Sequence, residues 1–185
     1  MKKYGKYIIL TLAGILAYNL LKAKSMTSTA AMFANFRPEE SIKLVALADS
    51  LQRAGFTGEK LRWALASVLH ETGRFSRGSN VARLNNNYSG IKWLNKPRQV
   101  ATKGSPVPAG ERIQPASNPL NFYARFATID DWAKDYYRIV SSFGSKPITA
   151  TTPEEWVNKL KQNSYFGGPQ SVYLTGVRRF LAMFS

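Results

Sequence analysis

From Lys60 to Ile129 the chain carries eleven basic residues and two acids, Glu71 and Glu111. Two carboxylates alone in so basic a stretch are better read as placed than as scattered. Glu71 follows a stripe of Leu61, Ala64, Leu65, Val68 and Leu69, spaced as one buried face of a helix. At about 100° per residue it falls roughly 60° from Val68, beside that stripe and not opposite it. It also ends the helix, where the partial negative charge of the carbonyls disfavours a carboxylate. Desolvation and dipole together would hold a proton on the side chain, which is what a general acid needs at neutral pH. Cleavage of a glycosidic bond uses such an acid to protonate the leaving oxygen, commonly with a second carboxylate across the bond. A plainer reading pairs Glu71 with Arg74 or Arg77 at a frayed helix end, and spacing alone leaves both open.

Other chemistries are limited by composition. The chain has no cysteine and one histidine, His70. Thiol nucleophiles, disulfides and Cys-ligated zinc are excluded, and so is a multi-histidine metal site. No metal or other cofactor is expected. His70 and Trp63, seven residues apart on the far side of the helix, read as packing or surface residues.

The elements that must position these residues follow from the rest of the chain. Residues 1–25, MKKYGKYIILTLAGILAYNLLKAKS, contain five lysines and no acid, with an apolar run from Tyr7 to Leu21. That run reaches roughly 22 Å, short of a hydrocarbon core of about 30 Å unless Tyr4, Lys6 and Lys22 snorkel. It predicts an N-terminal transmembrane helix, as an anchor or an uncleaved signal, engaging the membrane through residues 4–24. Residues 26–36 read as a tether and 37–185 as one domain. Pro38-Glu39-Glu40 opens a helix that runs to Gly55, and a second starts near Thr57. Residues 91–126 hold five of the nine prolines and short alternating stretches, a small irregular β lobe or long loops. Thr128 with Asp131, and Thr152-Pro153-Glu154-Glu155, mark two further helix starts, and a last helix spans about 172–184. The expected class is α+β, mainly helical, with a cleft where helices and β lobe meet.

"ALASVLHETGRFS", followed fifteen residues after Glu71 by "NNYSGIKW", resembles glycoside hydrolase family 73, the endo-β-N-acetylglucosaminidases that cut peptidoglycan. That family joins a helix-end Glu-(Ser/Thr)-Gly to an Asn-Asn-x-Phe-Gly-Ile-Lys segment, a β lobe and an aromatic-rich strand end. Glu71-Thr72-Gly73 takes the place of the first motif. Asn86, Asn87, Gly90, Ile91 and Lys92 match the second, and residues 123–128, Tyr-Ala-Arg-Phe-Ala-Thr, approximate the third. Tyr165 in "NSYFGGPQSVY" fits the family's cleft tyrosine, with Tyr173 as its second. The resemblance covers the chain from about residue 40 to its end. Ser89 departs from the family's aromatic before glycine, and Ala124 from its arginine.

The resemblance implies a lysozyme-like fold with Glu71 as proton donor. Glu111 corresponds to the family's second, β-lobe carboxylate by elimination only, with a loop salt bridge as the plainer reading. Either Glu111 activates water, or the substrate's own N-acetyl group attacks with Tyr165 assisting. Asn86 and Asn87 are expected to hydrogen-bond sugar or to fix the loop after the catalytic helix. Tyr88, Trp93 and Tyr165 offer flat faces to sugar rings, and Lys92 and Tyr173 complete the expected substrate contacts. The partner is then the peptidoglycan strand, met by a monomer on the cell-wall side, from a bacterium or a phage. Residues 26–185 still hold 21 Lys+Arg against 11 Asp+Glu, which favours encounter with an acidic polymer and weakens with salt. Two alternatives remain. A lytic transglycosylase would release an anhydro sugar, and a non-catalytic basic module would bind nucleic acid or anionic lipid with strong salt dependence.

Overall fold

The computed structural model describes residues 30–75 and 80–185. Its helices are α1 (Pro38–Ala54), α2 (Gly58–Glu71), α3 (Asn80–Asn85), α4 (Ile129–Ser142), α5 (Pro153–Gln162) and α6 (Gln170–Leu181). Two strands, β1 (Thr102–Pro106) and β2 (Phe122–Arg125), pair antiparallel between α3 and α4. The chain is thus α+β, with the sheet inserted between two groups of helices.

Local chemistry accounts for most boundaries. In α1, Pro38 stands at the first turn, and the Arg37 N–H donates to Glu40 Oε2 at 3.2 Å. Gly55 ends that helix at φ +116°, and a side chain there would strike the Tyr137 ring at 2.9 Å. Thr128 and Thr152 cap α4 and α5, their hydroxyls accepting from the N–H groups of Asp131 and Glu155 at 3.1 Å. The last helix begins two residues earlier than its apolar spacing suggested, behind Pro169.

α2 is the central element. Leu61, Ala64, Leu65, Val68 and Leu69 are all buried, and α2 packs chiefly against α6 while α1 packs against α4. Trp63 is buried beside Trp156, and His70 sits edge-on to Tyr173 at 4.6 Å, so the outer face of α2 is also covered. Phe33 and Phe36, in the stretch expected to be a tether, are buried against Phe184. The Ser185 N–H donates to Met32 O at 3.1 Å, which fastens the chain's end to the start of the described part.

The β lobe is small. Thr102 pairs with Arg125, Lys103 with Ala124 and Pro106 with Phe122, and the register slips between the last two pairs. Lys92 bridges Tyr123 on the opposite edge of β2.

The expected transmembrane helix is corrected. No helix among the described residues is long and apolar enough to cross a membrane, and residues 1–25, on which that expectation fell, lie outside them. The apolar residues that are described recur at helical spacing and cover one another. None forms a continuous run of spanning length.

Candidate active site

Glu71 is the last residue of α2. Thr72 follows, and Gly73, Arg74 and Phe75 then all adopt positive φ of 53°, 58° and 58°. For Arg74 and Phe75 that conformation costs roughly 1–2 kcal/mol each, so other contacts must hold it. The Thr72 hydroxyl donates to Val68 O at 2.8 Å and accepts from the Phe75 N–H at 3.2 Å. The Arg74 N–H reaches Leu69 O at 3.0 Å. Its guanidinium forks onto Glu40, Nη2 to Oε2 at 2.6 Å and Nε to Oε1 at 3.2 Å.

That fork removes Arg74 as a partner for Glu71. Arg74 is taken by Glu40, which is only 2% exposed and is also bound by Arg37 Nη2 at 2.7 Å. Burial pushes the Glu40 carboxyl up, but the hydrogen bonds from Arg37 and Arg74 outweigh it and bring the pKa down to about 2. Arg77 lies outside the described residues.

Glu71 itself faces a cleft of about 260 Å³ formed with His70, Phe166, Gly168, Pro169, Val172 and Tyr173. Among the described residues it is the only acid in that lining. By residue area it is exposed, since it forms part of the cleft wall. Protein nevertheless crowds the carboxyl, and that desolvation pushes its pKa up to about 7, opposed by the nearby Tyr173 hydroxyl.

Three tyrosines surround this carboxyl. Tyr173, on α6, is stacked on Phe166 at 4.0 Å and met edge-on by His70. Tyr165, just after α5, donates its hydroxyl to Ser89 O at 2.9 Å. Tyr136, on α4, is stacked on Trp132 at 5.6 Å. Burial raises the pKa of each hydroxyl, and the charge of Glu71 raises it further. They are therefore neutral donors. Tyr136 Oη and Tyr173 Oη are buried with no well-formed hydrogen bond, although Tyr173 Oη lies near enough to Glu71 to influence it. Tyr136 Oη likewise lies near Tyr165 and Ser67, and buried hydroxyls so loosely satisfied beside a carboxyl with a raised pKa form an unusual group, since buried polar atoms are normally well bonded.

The remaining expected residues fall into different places. Asn86 donates to Phe126 O at 3.1 Å, and Asn87 donates to Ile91 O at 2.8 Å and Ala124 O at 3.0 Å while accepting from the Ile91 N–H. Asn87 is fully buried, so of the two roles expected for this pair it fixes the loop onto the β lobe and makes no sugar contact. Tyr88 is half-buried, edge-on to Trp132 at 5.1 Å and to Phe75 at 6.4 Å. Trp93 is half-buried at the β lobe, its N–H bonded to Phe122 O at 2.8 Å. The Lys92 ammonium lies 4.2 Å from the Tyr123 ring centre. Glu111 ends a 3-10 turn, Ala109–Glu111, in the β lobe, and its side chain lies outside the described set. The structure therefore gathers Glu71, Tyr165 and Tyr173 in one place, while Asn86, Asn87, Tyr88 and Trp93 are not among the described residues lining the Glu71 cleft and pack instead toward the β lobe, Phe75 and α4.

Two members escaped the sequence reading. Tyr136 sits at a buried position of an amphipathic helix and reads as core, and only its hydroxyl hints at a polar target. Ser89 stands where an aromatic was expected. Its hydroxyl accepts from Trp132 Nε1 at 2.9 Å while its carbonyl holds Tyr165, so a small polar residue suits the spot. Among the described residues no cluster of three His, Cys, Asp or Glu side chains could hold a metal ion. Comparison with protein-family models, curated proteins and solved structures finds no match.

Proposed function

We propose that this chain is a peptidoglycan hydrolase, an endo-β-N-acetylglucosaminidase that cuts β-1,4 bonds of the glycan strand with Glu71 as general acid. The observation that carries the reading is a carboxyl with a pKa near 7, on a cleft wall, ringed by three neutral tyrosine hydroxyls. At neutral pH about half of such carboxyls hold a proton to give, and each is regenerated without a metal or cofactor. The motifs shared with glycoside hydrolase family 73 support the same conclusion.

Glu71 gives its proton to the glycosidic oxygen as the bond to the anomeric carbon breaks, and the leaving sugar departs as an alcohol. Positive charge develops on the departing ring. Among the described residues Glu71 is the one acid lining the cleft, and with the tyrosine hydroxyls near it this supports the substrate's N-acetyl oxygen as the group that bonds to that carbon. Tyr173 and Tyr136 have hydroxyl protons to offer the N-acetyl group, and Tyr165 is held by Ser89 as a fixed wall. Water then displaces the N-acetyl oxygen from the anomeric carbon, which restores the N-acetyl group, and gives a proton back to Glu71.

A lone carboxyl also suits a lytic transglycosylase, in which the sugar's own hydroxyl closes an anhydro ring instead of water adding. Mass spectrometry of digested peptidoglycan separates the two products. The substrate puts the work on the cell-wall side, where the basic surface meets an acidic polymer. A zymogram on peptidoglycan with Glu71→Gln beside Glu111→Gln tests the assignment. Clearing by the Glu71 variant refutes it, and loss in both variants reinstates Glu111 as the second catalytic carboxylate.

A further inference from the structure

Lys161 stands in the last turn of α5, where a lysine ordinarily does no more than face the negative end of its own helix. This one is turned to the loop that follows. Its Nζ donates to the carbonyls of Phe166 at 3.4 Å, Gly167 at 3.3 Å and Gly168 at 3.0 Å, one for each N–H of the ammonium. Three successive carbonyls gathered around one point repel one another, and a positive charge at that point makes the arrangement favourable. Side-chain crowding does not impose it. Gly167 and Gly168 have open space where a Cβ would be, and neither adopts a positive φ. Two such glycines leave the backbone many other shapes, and the ammonium is the tie that selects this one.

The loop so tied forms one wall of the Glu71 cleft. Phe166, Gly168 and Pro169 line that wall, and the half-buried Phe166 ring lies on Tyr173 at 4.0 Å with 10° between their planes. The other ring neighbour of Tyr173 in the cleft lining is His70, carried by α2. Tyr173 Oη, beside Glu71, has no well-formed hydrogen bond to fix it. Its place is therefore set by the packing of its ring, and half of that packing hangs on the loop.

We propose that Lys161 is a positioning residue that acts through Phe166: by tying the 166–168 carbonyls it keeps Phe166 stacked on Tyr173, and so holds the Tyr173 hydroxyl where it meets the substrate's N-acetyl group. The inference rests on the hydrolase reading for what Tyr173 does. Lys161 itself is not among the described residues that line the cleft.

The test compares the unmutated full chain with Lys161→Met, which keeps the stem and removes the ammonium, with Lys161→Arg, which keeps charge and donors, and with Lys96→Met, an equal loss of charge at an exposed loop position. On a soluble hexasaccharide of alternating N-acetylglucosamine and N-acetylmuramic acid, Lys161→Met should lower kcat about tenfold and leave KM within about twofold, while the other two variants stay within about threefold in both. In spectra of tyrosine-labelled protein, the Tyr173 ring signals, shifted upfield by the stacked Phe166, should move downfield in Lys161→Met alone. Lys161→Gln replaces the methionine variant in both measurements if that variant does not fold, and failure of both to fold overturns the proposal by showing a purely structural role. A rise in KM with kcat unchanged, an equal fall in kcat in Lys161→Arg or Lys96→Met, or Tyr173 signals that stay in place also overturns it. An unmutated chain that cleaves no glycan sinks the hydrolase reading, and the Tyr173 signals then decide by themselves whether Lys161 makes the tie.

Discussion

Replacing Glu71 by glutamine keeps the side chain's shape and removes its titration, so the variant reports on the proton as well as on catalysis. In the folded chain this carboxyl titrates at about 7 against an ordinary 4.5, because burial disfavours its charged form. Between those values the folded protein holds a proton that the unfolded chain has released. Stability therefore falls as pH rises from about 4.5 to about 7, and the loss is complete above. A displacement of that size corresponds to at most about 3 kcal/mol. Glu71 keeps solvent-facing surface, and screening by water reduces the effect to about 1 kcal/mol. Glu71→Gln should thus match the parent chain in thermal melts at pH 4 and exceed it at pH 8 by about 2–4 °C in Tm, while turbidity assays show wall lysis lost at both. The parent chain's lysis should decline as pH passes about 7 and the acid form empties. A Tm difference that is the same at pH 4 and pH 8, or a carbon-13 titration of the Glu71 carboxyl near 4.5, would show the proton is not held and would refute the acid role.

The tyrosine ring offers a second test. Tyr136→Phe removes a buried hydroxyl only loosely bonded to Tyr165 and Ser67, so stability should change by no more than about 1 kcal/mol while the lysis rate falls about tenfold; unchanged lysis in well-folded protein counts against its role. Gly176→Ala would drive a methyl into the His70 ring, displacing the ring that braces Tyr173. Urea unfolding should show a loss of about 1–3 kcal/mol, with lysis reduced. Glu40→Gln strips the fork that holds Arg74 in its left-handed turn, and should cost about 2–3 kcal/mol at pH 7. Because the Glu40 pKa is lowered to about 2, its contribution is present above about 4.5 and fades as pH falls toward 2. Parent and variant should therefore converge in urea unfolding at acid pH.

Short-range chemistry made much of this chain legible in advance. The stripe from Leu61 to Leu69 is buried as its spacing requires, Thr128 and Thr152 cap the helices they precede, and the proline-rich stretch yields only two short strands. These outcomes depend on residues within a turn or two of each other, so pattern alone suffices. Glu71 beside the buried stripe belongs to the same class. What pattern could not supply was each side chain's distant partner. Arg74 pairs with Glu40, thirty-four residues back, instead of with Glu71. Asn87 spends its amide on the β lobe. Tyr136, Tyr165 and Tyr173, from three separate segments, converge on one carboxyl, and the 89–98 stretch and α4 line a second cavity together. Periodicity decides which face of an element is buried. Which groups then meet depends on how the helices dock, an outcome set by the whole core at once and carried by no single segment of sequence.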